Sequence, residues 1–194
     1  MLLELDNRGK RNWISKVRMK LCNYGFGFVW INQGVGDVKG FVRVFRERLV
    51  DCWWQDWNDH VQTSSRFDFY RLWSHSRCLP VYMSERIDCH LKCIMTRFRL
   101  GISDISVHYY RYRQSCHRDL ICPLCRESEE DEIHFVLSCP GLRDIREQYI
   151  PRKYYTFPCL FRLTSLMTSA NDSVVRNLAI YLHQAFKRRS VCIS

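Results

Sequence analysis

Residues 122–139 read CPLCRESEEDEIHFVLSC and hold the strongest structural signal of the chain. They place Cys122, Cys125, His134 and Cys139 in the spacing C-x2-C-x8-H-x4-C. Two cysteines separated by two residues form a turn whose sulfurs converge on one ion, and the later His and Cys complete four ligands suited to tetrahedral zinc. Because four protein ligands leave no open coordination position, the spacing predicts one structural Zn²⁺ rather than a hydrolytic centre.

The residues between these ligands predict a short helix that presents the histidine. Ser128 with Asp131 resembles a capping box at the start of that helix, which carries His134. Cys139 lies five residues further, about 500° of helical rotation, so the two ligands would point apart on a continued α-helix. Pro140 disfavours helix at the preceding residue and can turn Cys139 back toward the metal.

Amphipathic helices are predicted on both sides of this stretch. Apolar residues recur every three or four positions in residues 11–23, 38–53, 84–100 and 173–189, with shorter helices at 65–73 and 142–149. Residues 151–172 show no clear pattern. The predicted fold class is therefore mainly α, a small helical domain with a CCHC zinc-binding subdomain.

Three segments are expected along the chain. They are an N-terminal helical region at residues 1–80, a basic helix plus the CCHC zinc-binding region at 81–150, and a C-terminal linker and helix at 151–194. No stretch approaches the ~18 apolar residues of a membrane span, and the start of the chain lacks the apolar core of a signal peptide. No membrane partner is therefore expected.

The chain is basic and rich in cysteine. Thirty Lys and Arg against 20 Asp and Glu give a formal net charge of +10, which favours polyanionic partners such as nucleic acid. The cysteines number 11, which is odd, and several lie within apolar helical stretches as small hydrophobic residues. We therefore expect an intracellular protein in a reducing compartment, the nucleus or the cytoplasm.

A second group of metal-ligand residue types precedes the main cluster. Cys89, His90 and Cys93 together with Cys116 and His117 could supply a second zinc site. Since both helical cysteines lie beside an apolar face, a buried structural role is the favoured interpretation for them.

Residues 86–118, the basic segment, combine positive charge with aromatic rings. Its cations are Arg86, Lys92, Arg97, Arg99, Arg111, Arg113 and Arg118, against Asp88 and Asp104. Basic groups can neutralise phosphates while aromatic faces stack on unpaired bases, so the candidate nucleic-acid contacts are Arg97, Arg99, Tyr109, Arg111, Tyr112 and Arg113. The alternative is a solvated basic face over a packed aromatic core. The acidic run 127–132 would repel phosphate, so contact is expected on the basic segment and not over the metal helix.

Several motifs of this chain resemble one known family. They are Arg97-Phe98-Arg99-Leu100-Gly101, Cys122-Pro123-Leu124-Cys125 and the run from Glu130 to Pro140. Their order and spacing resemble the C-terminal zinc-binding region of reverse transcriptase polyproteins from non-LTR, LINE-type retrotransposons. The resemblance is strong over residues 85–150, with shorter matches at 12–14, 25–27 and 64–67.

The resemblance implies a fragment or domesticated remnant of such a polyprotein. In the family this region lies downstream of the polymerase and is thought to help engage element RNA or target DNA. The family's polymerase holds magnesium on two adjacent aspartates, whereas this chain contains no Asp-Asp pair. An endonuclease constellation is absent from the sequence too, so no enzymatic activity is expected.

Two functions from different classes therefore remain. The favoured one is a non-catalytic zinc-binding module that binds RNA or single-stranded DNA, without a small-molecule substrate. The alternative is a zinc-stabilised protein–protein interaction module whose exposed Trp and Tyr residues bind a partner and which does not bind nucleic acid.

Overall fold

Helices make up the regular structure, which confirms the predicted mainly α class. The computed structural model describes residues 13–73, 79–84, 86–113 and 120–193, without the side chains of residues 66 and 111–113. Within these ranges there is no β-strand. Ile121 and Glu129 form an isolated β-bridge in the predicted metal-binding segment, residues 121–139. None of the described helices is long and apolar enough to cross a membrane.

The chain divides into two compact units, Met1–His60 and Val61–Ser194. The three segments expected from the sequence, with boundaries after residues 80 and 150, stay a prediction. The described helices of the first unit are α1 (Trp13–Asn23), α2 (Gly27–Asn32) and α3 (Val38–Thr63), the last of which ends just past the boundary.

Aromatic side chains hold the first unit together. Phe26, in the loop between α1 and α2, packs edge-on against Phe41 and Phe45 of α3, with ring centroids 5.6 and 5.2 Å apart. Ile14 of α1 and Trp30 of α2 are buried. The predicted first and second helices are thus present, and α3 continues ten residues beyond the last apolar position that the sequence pattern used.

The second unit contains the remaining helices. They are α4 (Val81–Ser84), α5 (Cys89–Arg99), α6 (Ser106–Arg113), α7 (Arg143–Tyr149), α8 (Arg152–Tyr155), α9 (Leu160–Met167) and α10 (Asp172–Ile193). Short 3₁₀ turns lie at Ser65–Phe67, Tyr70–Leu72 and Pro140–Leu142, and a π-helical turn lies at His134–Ser138.

Helix α10 is the central element of this unit because it packs against both α5 and α7. Its buried residues Val175, Leu178, Leu182 and Ala185 follow helical spacing and form one continuous apolar stripe. Each fully buried leucine contributes about 1.5 to 3 kcal/mol relative to an exposed one. The core of the unit therefore lies along α10.

Helix α5 begins later than the sequence predicted. The Asp88 side chain accepts a hydrogen bond from the backbone N–H of His90 at 2.7 Å, so this aspartate is the N-cap, and residues near Ser84 belong to the separate helix α4. The predicted stop is confirmed: Gly101 follows the helix with φ of +68°, a conformation that favours glycine.

Helices α6, α8 and α9 were absent from the sequence prediction. The α6 sequence SVHYYRYR has no apolar periodicity, and its buried residues among those with described side chains, Ser106 and His108, are polar. Contacts with distant residues stabilise such a helix, and the periodicity of the sequence does not reveal those contacts.

Candidate metal centre and basic groove

The structure brings the four predicted metal ligands together. One ligand atom from each of Cys122, Cys125, His134 and Cys139 lies within 4.8 Å of every other. The Cys122 and Cys139 sulfurs are 3.7 Å apart, and Cys125 Sγ is 3.4 Å from His134 Nε2. At a zinc–sulfur distance of about 2.3 Å, the corners of a tetrahedron are roughly 3.8 Å apart. The ligand atoms therefore already approximate the dimensions of a tetrahedral site.

A tight backbone loop positions the two N-terminal ligands. The Cys122 carbonyl accepts a hydrogen bond from Arg126 N at 2.8 Å, and Cys122 N donates to the Ser128 carbonyl at 2.8 Å. Arg126 adopts a left-handed conformation with φ of +60°, which reverses the chain after the second cysteine. A Cβ on Gly141 would lie 3.0 Å from Leu124 Cβ, so glycine lets the following 3₁₀ turn approach this loop closely.

A π-helical turn positions the two C-terminal ligands. Cys139 N donates to the His134 carbonyl at 2.7 Å, an i→i+5 hydrogen bond. This wider turn brings the fifth residue back over the first, whereas an α-helix would point it away. Cys139 is extended with ψ of 120°, as expected before Pro140. The predicted cap was wrong, because Asp131 Oδ1 accepts from His134 N at 2.6 Å and replaces Ser128 in that role.

Side chains of other helices donate hydrogen bonds to the backbone carbonyls that have no partner within the π-helical turn. Pro140 has no N–H to donate to the Phe135 carbonyl, which instead accepts from the Tyr181 hydroxyl of α10 at 2.6 Å. Burial raises the pKa of Tyr181, so the phenol keeps its proton and donates it. The buried Arg146 of α7 donates to the Val136 and Cys139 carbonyls at 3.0 and 2.6 Å.

Two acidic residues of the run 127–132 are directed inward. Glu130 is fully buried and accepts from Ser106 N at 2.7 Å and from Arg189 Nε of α10 at 2.7 Å. Glu132 is also fully buried, and its Oε1 lies 3.0 Å from His108 Nε2. These contacts fix the start of α6 to the metal-binding segment and keep two of the acidic charges away from the surface.

The hydrogen bond between the Cys122 and Cys139 sulfurs shifts the pKa values of the two thiols in opposite directions. The Cys139 thiol donates to Cys122 and lowers the pKa of Cys122 to about 3, against an opposing effect of burial. The same hydrogen bond raises the pKa of Cys139 well above its ordinary value. A bound cation would displace that proton, because sulfur ligates as thiolate.

The residues predicted to contact nucleic acid differ in how exposed their side chains are. The Arg97 side chain is 57% exposed and lies 3.7 Å from Asp104, and Tyr109 is 49% exposed. The prediction for Arg99 was wrong: this residue is 5% exposed, and its Nη1 donates to the Met167 carbonyl at 2.6 Å, so it cannot reach a phosphate outside. Arg111, Tyr112 and Arg113 lie on α6, and their side chains fall outside the described part of the chain.

The structure tests part of the second candidate metal site, which the sequence places at Cys89, His90, Cys93, Cys116 and His117. Cys89 and Cys93 are exposed, so the predicted buried role was wrong, and the nine cysteines that the structure describes are all free. Cys116 and His117 lie outside the described residues. Among the residues that are described, three or more His, Cys, Asp or Glu ligand atoms converge at the CCHC cluster alone.

A groove between α5 and α10 contains functional candidates that the sequence analysis missed. The groove has a volume of about 240 Å³ and is lined in part by His90, Arg97, His183 and Lys187. The two imidazole rings are 5.1 Å apart and nearly perpendicular. Lys187 is the first residue of the run Lys-Arg-Arg at the end of the last predicted helix, and this run was the available signal. Nothing in the spacing of the chain pairs Lys187 with Arg97.

Comparisons of this chain with protein-family models, with curated proteins and with solved structures found no match.

Proposed function

We propose that the CCHC cluster binds one structural Zn²⁺. Three thiolates and one imidazole at tetrahedral spacing are a donor set that suits zinc. Cys122 and Cys139 are fully buried and His134 is nearly so, which closes the site on all but the Cys125 side. Four protein ligands leave no position for a substrate or an activated water, so the proposed role of the ion is structural.

We further propose that the second unit binds RNA or single-stranded DNA through the groove between α5 and α10. The observation that carries this proposal is the convergence of Arg97 and Lys187, ninety residues apart in the chain, on one groove. Two cations that line the same groove can each contact a phosphate, and His90 and His183 supply further polar contacts. Tyr109 is exposed on α6 and offers a face on which a base can stack.

The burial of Glu130 and Glu132 supports this proposal. The acidic run at 127–132 suggested a repulsive surface near the metal, but Arg189 and His108 pair with these two carboxylates inside the unit. The surface near the metal site is therefore less negative than the sequence implies. The net charge of +10 on the chain also favours the approach of a phosphate.

The proposed origin follows the resemblance to retrotransposon reverse transcriptases. A non-catalytic remnant of the zinc-binding region would retain the metal ligands and the nucleic-acid contacts without a polymerase site. The closed CCHC site is compatible with that origin.

A titration of fluorescent single-stranded oligonucleotides at several salt concentrations tests the groove. We expect Arg97→Gln with Lys187→Gln to weaken binding and to reduce the log–log salt slope by up to about 0.7 per lost phosphate contact. Tyr109→Ala should weaken binding by about 1 to 3 kcal/mol with little change in slope, because stacking releases no counterion.

The matched control is Arg152→Gln with Lys153→Gln, which removes two exposed cations of α8 that do not line the groove. The control should retain the wild-type slope. Equal losses in both double variants would show that net charge alone drives binding. Absence of binding by the folded, metal-loaded protein at low salt would overturn the proposal.

The protein-interaction alternative rests on the first unit. Several large apolar side chains there are exposed: Trp13, Phe28, Ile31, Val42 and Trp53. Exposed apolar surface of this kind is typical of protein interfaces. If oligonucleotides fail to bind, this surface carries the better functional hypothesis.

A further inference from the structure

Arg99 is a buried cation without a carboxylate partner among the described residues. Its Nη1 and Nη2 donate to the Met167 and Trp73 carbonyls at 2.6 and 3.4 Å. Its guanidinium carbon lies 5.6 and 5.5 Å from the ring centroids of Trp73 and Tyr82. Aromatic faces stabilise a cation partly, but they carry no formal negative charge. Among the residues that the structure describes, no formal negative charge therefore compensates this guanidinium.

Two hydrogen-bond donors beside this charge also have no partner. Arg99 Nε and Trp73 Nε1 are buried and make no hydrogen bond with the residues that the structure describes. Both side chains are 5% exposed. A buried donor without an acceptor is destabilising, so two such donors at one buried cation indicate an acceptor that completes them.

A cavity of about 290 Å³ adjoins the two residues that carry these donors. Both Arg99 and Trp73 line it, together with apolar side chains from α4, α5, α9 and α10, among them Val81, Met95 and Leu166. This volume is near the lower end of the range of about 300 to 1,000 Å³ for small-molecule pockets. The walls suit an apolar body, whereas the donors suit an anionic acceptor.

We propose that this cavity binds a small organic monocarboxylate with an apolar, ring-sized body. The carboxylate compensates the charge of Arg99 and accepts from Arg99 Nε and Trp73 Nε1, while the body contacts the aromatic and apolar walls. A neutral ligand of the same shape would fill the cavity but leave the charge uncompensated. The proposed role of the bound molecule is that of a ligand, because the described cavity wall offers no acid–base pair to activate the hydroxyls of Thr168 and Ser169.

This proposal is independent of the nucleic-acid function. The cavity and the basic groove share none of their lining residues. Arg97 and Arg99 thus have separate roles although they are two positions apart, since one lines the groove and the other the cavity.

Calorimetric titration of the metal-loaded protein with benzoate, at constant ionic strength, tests the proposal. Benzamide is the matched neutral probe, because it has the same ring and a similar planar head group. We expect saturable benzoate binding and benzamide binding weaker by about tenfold or more, since hydrogen bonds to charged groups contribute at least that factor.

Two variants locate the site. Trp73→Phe keeps an aromatic wall and removes the indole N–H, so it should weaken benzoate binding and reduce the preference over benzamide. Arg99→Lys should reduce that preference further if the variant folds. Arg97→Gln is the control for adventitious binding in the basic groove and should leave benzoate affinity unchanged.

Three outcomes would overturn the proposal. They are the absence of saturable benzoate binding, equal affinities for benzoate and benzamide, and an affinity that Arg97→Gln lowers while Trp73→Phe leaves it unchanged. A merely structural role of Arg99 predicts no selectivity between the two probes, so the ratio of their affinities separates that role from the proposed one.

Discussion

Arg126 carries backbone strain within the metal-binding loop. Its φ of +60° lies in the left-handed region, where an L side chain costs about 1 to 2 kcal/mol relative to a right-handed conformation. The conformation persists because Arg126 N donates to the Cys122 carbonyl and thereby closes the turn around the ligands. The side chain is exposed, so it adds little packing that would offset the strain.

We expect Arg126→Gly to retain the metal and to keep or raise the free energy of unfolding, by up to about 1 kcal/mol. Relief of strain favours the variant, while the greater freedom of glycine in the unfolded chain opposes it. Arg126→Val should do the reverse, because a β-branched residue tolerates the left-handed region poorly. Denaturant unfolding of the metal-loaded proteins measures both, and a glycine variant less stable than the valine variant would contradict this account.

At the scale of secondary structure, the π-helical turn His134–Ser138 depends on helices distant in sequence. The wider turn lets His134 and Cys139, five residues apart, face the same site. The Phe135 and Val136 carbonyls, however, then need hydrogen-bond donors from other helices. Tyr181 and Arg146 supply the donors. The ligand geometry is therefore supported by α7 and α10 as well as by the metal-binding segment itself.

Tyr181→Phe tests that support. The variant removes one buried hydroxyl and leaves the Phe135 carbonyl without its donor, so we expect it to lower the free energy of unfolding by about 1 to 3 kcal/mol. Competition with a chelator should show weaker metal retention as well. The control is Tyr155→Phe, whose hydroxyl makes no hydrogen bond within the described structure and whose loss should have little effect. Equal stability of both variants would contradict the role assigned to Tyr181.

In the whole molecule, the metal-binding segment forms part of the core of the second unit. Phe135, Val136 and Leu137 are buried, and the Phe135 ring packs against Phe186 of α10 with centroids 4.9 Å apart. Loss of the proposed ion should therefore disturb side chains that pack against α5, α7 and α10. The metal and the helical core should unfold together.

We expect Cys125→Ser to lose stoichiometric zinc and to lower the melting temperature of the second unit, with more helix lost than residues 122–139 contain. Metal analysis and circular dichroism with a chelator as reference measure this. The control is Cys159→Ser, an exposed cysteine outside the cluster, which should retain zinc. Stoichiometric zinc in both Cys125→Ser and His134→Ala would contradict the assignment.

Metal affinity should also depend on pH. The proton that Cys139 holds by its hydrogen bond to Cys122 must leave when a cation binds, and the pKa of Cys139 is raised in the metal-free state. Binding therefore releases protons, so affinity and the stability that it confers should fall as pH falls. Chelator competition across a pH series checks the direction, and an affinity that rises with acidity would contradict thiolate ligation.

The mainly α class, the four candidate metal ligands and the place where α5 stops could all be predicted from the sequence. These features are local: the ligands lie within eighteen residues, the apolar stripe of α10 repeats along one segment, and Gly101 follows its own helix. Spacing and periodicity carry such information because the interacting groups are neighbours in the chain.

Which charged residues face water, in contrast, follows from the packing of segments that are distant in the chain. Arg97 and Arg99 are alike in the sequence, yet Arg99 is buried, where its Nη1 donates to the Met167 carbonyl, 68 residues away. Glu130 lies in an acidic run, yet it is internal because Arg189 reaches it from α10. Burial of a charge depends on whether a distant partner compensates its desolvation, and that partner is brought near by packing and not by spacing.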